Sequence, residues 1–254
     1  MKTKNTLVIL IAVVFAFALL FSCILLFSVK KVDAEFSVST DIDTSELEQR
    51  LSEFCGENLL FFNEVKVVSL VDEFPYFELL FVEKKYPNVI KLSVKERMET
   101  YYLETDETVF VTTADGFILR TISVAEYDGN VPREIIKLNF SGINVTEAVV
   151  GKNIKTDADE LVSCMFSMAK SVNLTDCIKS VNVIKAPEKD DVLFNTYTGV
   201  SILITNATVR GMDKIIQGFN AYNDKTDDYL KTFNNIEVVL KADGSIVPVW
   251  TDKT

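Results

Sequence analysis

The side chains able to do chemistry in this sequence are carboxylates and little else. Asp157, Asp159 and Glu160 lie together, as do Glu188, Asp190 and Asp191, and as do Asp227 and Asp228. Two carboxylates, one protonated and one ionised, are the machinery of a glycosidase. Each of these groups falls where charge is expected for other reasons: the first turn of a helix, a loop, and a solvated face. None is marked by the desolvated cleft that a working carboxylate needs. Calcium would require several more oxygen ligands than Glu188, Asp190 and Asp191 supply, and Lys189 puts a positive charge among them. The 254 residues include no histidine, which excludes zinc-histidine, serine-histidine and cysteine-histidine devices. Gly142, Gly151, Gly199, Gly211 and Gly218 stand singly, so no phosphate-cradling loop is present. No catalytic residue, metal, cofactor or small-molecule substrate is expected. With 37 acidic against 26 basic side chains and a net charge of −11, the chain also lacks the basic footprint of a nucleic-acid binder.

Two further residue types decide little. Cys55, Cys164 and Cys177 are an odd number for a disulfide framework, and Cys164 with Cys177 is the one pairing worth testing. Asn139, Asn144, Asn173 and Asn206 each begin an N-x-S/T triplet, about two of which chance alone would supply in so polar a mixture.

Without a reaction to position, the elements themselves carry the information. Leu7 to Val29 is apolar except at Ser22, Cys23 and Ser28, long enough for a bilayer crossing at about 20 residues. Its length favours an uncleaved anchor over a signal peptide, although Val32-Asp33-Ala34 resembles a cleavage site. Lys2 and Lys4 on one side and Lys30 and Lys31 on the other leave the orientation nearly balanced on charge. The mass beyond Val29 is expected outside the cytoplasm.

Beyond the anchor, Phe36 and Val38 alternate as in a strand, and Asp43 precedes Glu46 as in a capping box. Leu47, Leu51 and Phe54 then follow at helical spacing up to Gly56. Asn63 to Glu73 is expected to be a second helix, with Asn63 as its cap and Pro75 as its stop. After Pro75 the period becomes two. Phe77, Leu79 and Phe81 alternate with Glu78, Leu80 and Val82, the Tyr86-Pro87-Asn88 turn follows, and Ile90, Leu92 and Val94 form the next strand. Strand, helix, helix, strand, strand makes a small α+β module.

The ungapped run from Pro75 to Arg97 resembles the POTRA domain of the FtsQ/DivIB family of bacterial cell-division proteins. It shows the proline-aromatic start, two alternating strands about an aromatic-proline turn, and the closing Glu96-Arg97. It departs from the family pattern in having Met98-Glu99 where proline is usual, Glu83 where a basic residue is common, and no glycine in the first strand. The likeness continues through the rest of the chain. Val109 to Ile122 reads as a hairpin turned at Asp115-Gly116, and Thr156 can cap a helix bearing Leu161, Met165 and Met168. Strands are expected at Ile178 to Ile184, Val192 to Asn195 and Val200 to Thr205. A helix near Met212 carries Ile215, Ile216, Phe219 and Tyr222, and a last hairpin, Ile236 to Leu240 with Ser245 to Val249, turns at Asp243-Gly244.

The resemblance implies an α+β chain with a cytoplasmic tail over residues 1–6, a transmembrane helix over 7–29, a POTRA domain over 32–98 and a β-domain over 99–254. It implies a non-catalytic divisome scaffold in the cell membrane at the septum, recruiting FtsB/DivIC-like and FtsL-like partners in support of septal peptidoglycan synthesis. Small features of residue usage incline toward a Gram-positive source. By the same resemblance, the partner adds a strand to the carboxyl-terminal sheet edge at Ile236, Val238, Leu240, Val247, Val249 and Trp250. Pro248 agrees with an edge, since proline cannot donate to a ladder. The rival readings are an unrelated membrane-anchored binding or sensor protein and a carboxylate-dependent cell-wall hydrolase.

Overall fold

The computed structural model describes residues 2–38, 42–127, 129, 132–172, 177–187, 189–225 and 233–252, apart from the side chains of 2–9, 20, 23, 233 and 252. The chain divides into two units, Met1–Arg97 and Met98–Thr254. Asn173, Glu188, Asp227 and Asp228 lie outside the described residues.

In the first unit the apolar run becomes the 25-residue helix α1, Lys2–Leu26. It stops short of Val29, which is instead buried in the first unit's core. Described apolar side chains of α1 such as Phe15, Phe17 and Phe21 are exposed. Among the described residues no helix is long and apolar enough to cross a membrane. The rest of the unit runs β1 (Lys31–Ser37), α2 (Ser45–Ser52), α3 (Val65–Asp72), β2 (Phe77–Lys85) and β3 (Val89–Glu96). The sheet order is β1-β3-β2, with β1 parallel and β2 antiparallel to β3. Leu47 and Leu51 of α2 and Val67, Leu70 and Val71 of α3 pack on Phe77, Ile90, Leu92 and Val94.

The local signals explain most of these boundaries, with three corrections. The Asp43 carboxylate accepts the Ser45 amide at 2.9 Å, but Thr44 rather than Asp43 is the residue at the helix start, and its hydroxyl pairs with Glu48, not Glu46. Asn63 likewise accepts the Val65 amide at 3.0 Å, but Glu64 rather than Asn63 is the residue at the start of α3. In β2 the strict alternation breaks: the register shifts between Leu79 and Phe81, so Leu80 is an inserted residue. One extra residue moves every later side chain to the other face. Val82 therefore packs on the core and Phe81 is 44% exposed, the reverse of the expected parity. The Arg97 guanidinium donates to the carbonyls of Pro75 and Phe77, tying the exit of β3 to the entry of β2.

The second unit adds β4 (Tyr101–Glu104), β5 (Thr108–Thr112), β6 (Ile118–Ser123), β7 (Ile136–Ser141), β8 (Val145–Glu147) and β9 (Lys155–Thr156). It continues with α4 (Asp159–Ser171), β10 (Ile178–Ala186), β11 (Lys189–Thr196), β12 (Ser201–Ile204), α5 (Gly211–Asn223), β13 (Phe233–Leu240) and β14 (Ile246–Asp252). Nine strands form one sheet in the order β14-β13-β12-β11-β10-β7-β4-β5-β6, and β8 pairs with β9 separately. The structure is thus mixed α+β, with a strand-rich second unit. Thr156 is not the residue at the start of α4. Its hydroxyl accepts the Ala158 amide at 3.1 Å, while Asp159 accepts the Thr156 amide at 2.6 Å. Asp157 is likewise engaged locally, accepting from the backbone and side-chain amides of Asn144 at 3.0 and 2.8 Å. Cys164 is not joined to Cys177; its thiol donates to the Ala207 carbonyl at 3.1 Å.

Helices α4 and α5 pack against each other, and α5 lies along β12, β13 and β14. The shared core includes Leu161, Met165 and Met168 of α4, Ile215 and Phe219 of α5, and Val181, Val183, Val192, Phe194, Ile202 and Ile204 of the sheet. Ile216, expected on the same face, is exposed. The other face of the sheet carries polar rows: Asn139 donates to Asn182 at 2.8 Å, and Asn195 bridges Ser180 at 2.9 Å and Ser201 at 2.7 Å. At Gly218, a Cβ would stand 2.9 Å from the Cγ2 atoms of both Ile202 and Val238. Gly218→Ala is expected to destabilise the second unit by about 1–3 kcal/mol, because both methyl groups sit in a packed core. The shift in its urea midpoint measures this.

Candidate partner-binding edge

The candidate site is the margin of the large sheet formed by β14, and it begins with the turn that makes the strand. Gly244, at φ +82°, donates its amide to Lys241 O at 2.9 Å, and the Lys241 amide donates to Ser245 O at 2.9 Å. The positive φ is one that glycine adopts without strain. The Asp243 carboxylate accepts the Ser245 hydroxyl at 2.6 Å and its amide at 2.9 Å. Those donors, the hydroxyl first, hold the Asp243 carboxyl below the ordinary carboxylate range. A lowered folded pKa means the interaction is fully made at neutral pH and is lost as the pH falls through that pKa.

Arg210 fixes the turn from outside. Its Nη1 donates to Gly244 O at 2.9 Å while its Nε donates to Asp213 at 2.9 Å, from a left-handed backbone at φ +54° just before α5. Nothing in the local sequence signals this contact, because 34 residues separate donor and acceptor. Arg210→Ala is expected to speed hydrogen exchange at the Lys241 and Gly244 amides about fivefold, the equivalent of ~1 kcal/mol from one charge-assisted bond. An unchanged rate would mean that the hairpin holds itself.

The register follows from the turn. Leu240 faces Ile246, Val239 faces Val247, Val238 faces Pro248, Glu237 faces Val249 and Ile236 faces Trp250. Antiparallel pairs alternate between hydrogen-bonded and non-hydrogen-bonded. Counting from the bonded Lys241–Ser245 pair, Val247 and Val249 bond to β13, while Ile246, Pro248 and Trp250 turn their backbone groups away from it. Pro248 therefore stands where its missing N–H costs β13 nothing.

The structure separates the six residues expected at this site. Ile236 and Val238 are fully buried in the core under α5. β13 is paired by β12 from Asn235 to Val238 and by β14 on its other side, so Ile236 and Val238 do not lie on the sheet margin, while Leu240 stands beyond the last β12 pair and is paired by β14. The side chain of Trp250, with that of Ile246, packs partly into the same core. Val247 and Val249 are on the opposite face, and Val249 is 45% exposed. Ile246 was missed by the sequence reading, and its outward backbone is evident only from the hydrogen-bond parity.

The two ends of the sheet differ. At the far end, the Ile118 amide of β6 donates to Lys152 O and its carbonyl accepts the Gly151 amide, each at 2.9 Å, and Phe117 bridges Asn153. The chain's own 151–153 segment thus covers the start of that margin, a familiar protection for an edge. Among the described residues the sheet order ends at β14 on the other side. No three Asp, Glu or Cys side chains among the described residues gather as metal ligands.

No family model matches this sequence. Over 129 residues it is 25% identical to the cell division protein DivIB of Clostridium botulinum (strain Hall), covering 48% of this chain and 46% of that protein. It is 25% identical over 155 residues to DivIB of Clostridium acetobutylicum, covering 59% and 56%, and 22% identical over 154 residues to DivIB of Clostridium tetani, covering 60% and 55%. The chain spans about half the length of the curated relatives it matches. Among solved structures it is similar to the major extracytoplasmic domain of the trans isomer of DivIB from Geobacillus stearothermophilus, at 13% identity and a TM-score of 0.30, covering 50% of this chain and 96% of that one. Taken with the Pro75 to Arg97 run, these comparisons make the chain similar in sequence to the DivIB cell-division proteins over about half of its length.

Proposed function

We propose that this protein is a non-catalytic, membrane-anchored scaffold of the bacterial division machinery, whose β14 margin receives an extended segment of an FtsB/DivIC-like partner, with an FtsL-like protein in the same assembly. The observation that carries the reading is the sheet order ending at β14, with the backbones of Ile246 and Pro248 directed away from β13. An added strand gains main-chain hydrogen bonds there, from the amide and carbonyl of Ile246 and from the carbonyl alone of Pro248, and lays side chains against Val247 and Val249. No reaction is needed for such a role. The similarity to DivIB proteins supports the division setting.

In this reading the apolar run of α1, whose side chains are described only in part, is the anchor, with the rest of the first unit and the second unit outside the cytoplasm. The first unit's β-α-α-β-β order supports a POTRA domain over 32–98, and the nine-stranded sheet supports a β-domain over 99–254. A fluorescent fusion to the full chain, expressed in its own cells, is expected to concentrate at midcell as the septum forms. An even distribution around the membrane would sink the division role and leave only an anchored binding protein.

A further inference from the structure

We infer that the Leu60-Phe61 turn and Tyr86 enter the interfacial layer of an anionic lipid bilayer beside the exit of α1, so that the first unit rests on the membrane surface. This rests on the reading of α1 as the anchor. Large apolar side chains are normally covered, yet Phe61 is 84% exposed, Tyr86 58% and Leu60 44%. All three stand next to the carboxyl end of α1. The Leu59 amide donates to Phe27 O at 2.7 Å, Ser28 bridges Asn58, and the Phe27 ring meets the Tyr86 ring edge-on at 6.0 Å. The Asn58 side chain accepts the Leu60 amide at 3.0 Å and its carbonyl accepts the Phe61 amide at 3.1 Å, so the turn is built onto the helix exit.

The same end of the small sheet is basic in a chain of net charge −11. Lys31 of β1 and Lys85 of β2 both face Val89 of β3, one from each side, and the Lys30 amide donates to Asn88 O at 2.8 Å. Lys30, Lys31 and Lys85 are exposed; Lys31 pairs with Asp33 at 2.5 Å, which leaves Lys30 and Lys85 as the larger part of the positive charge. Aromatic and apolar side chains flanked by lysines, at the mouth of an apolar helix, suit the headgroup region of a bilayer and its anionic lipids. Continuity with α1 selects the bilayer as occupant over a protein.

The test uses the full chain in phosphatidylcholine vesicles with and without phosphatidylglycerol, and bromine-labelled lipid as quencher. Phe61→Trp is compared with the unsubstituted chain, whose native tryptophan, Trp250, is in the second unit. The added emission is expected to be blue-shifted and quenched roughly twofold by the brominated lipid, more strongly with phosphatidylglycerol present. Water-like, unquenched emission from a chain that resists carbonate extraction would overturn the inference and leave the anchor intact. A chain washed from the vesicles by carbonate would overturn both.

Discussion

Val249→Asp is expected to weaken binding of the FtsB/DivIC-like partner by about 2 kcal/mol, some thirtyfold, while lowering the thermal midpoint of the chain by only a few degrees, since the new carboxylate faces Glu237 across the β13·β14 pair. Val249 lies on the face of β14 opposite the core and is 45% exposed, so a carboxylate there stays hydrated in the free protein and its repulsion from Glu237 opposite costs the fold at most about 1 kcal/mol. Once a strand is added alongside, the same carboxylate loses water beside a neighbouring chain and has no designated partner, and burial of an unpaired charge is strongly opposed. Titration calorimetry of the two full-length proteins in detergent reads the affinity, and unchanged binding would remove β14 as the docking site.

The neighbouring substitutions separate contact from support. Ile236→Asp is expected to unfold the second unit, because Ile236 is fully buried beneath α5. Trp250→Asp would mix both effects, since the Trp250 side chain packs partly into that core. Val249 is therefore the position at which binding can be lost on its own.

Gly142→Ala is expected to cost the second unit about 3–5 kcal/mol, a large fraction of a domain's stability. Gly142 follows β7 at φ +69°, a conformation that costs an L residue roughly 1–2 kcal/mol. A Cβ there would also stand 2.3 Å from Lys185 O, a backbone atom of β10 that cannot rotate away. Gly151 is the control, with φ +84° and nothing within 4 Å of a built Cβ, so Gly151→Ala should cost only the backbone strain. Urea unfolding of the full chain compares the two, with the transition of the first unit as an internal reference. Equal losses at both positions would show that the approach to Lys185 is not the cause.

What the amino-acid order determined by itself was local. The start of α3 could be placed to within a residue because the Asn63 side chain serves an amide two residues away, and Asp243-Gly244 could be recognised as a turn because backbone torsion there is a matter of single residues. The Pro75 to Arg97 run was long and ungapped enough to indicate the family. The same local rules missed β4 and β7, short strands whose mutual pairing is parallel and spans more than thirty residues of chain. They also misplaced the faces of β2, where one inserted residue at Leu80 reverses every side chain beyond it. At the candidate site, hydrophobicity alone made Ile236, Val238, Val247 and Val249 look alike. Tertiary structure decided between them, because which valine is core and which is margin depends on β12 pairing with β13, and on α5 covering one face of the sheet.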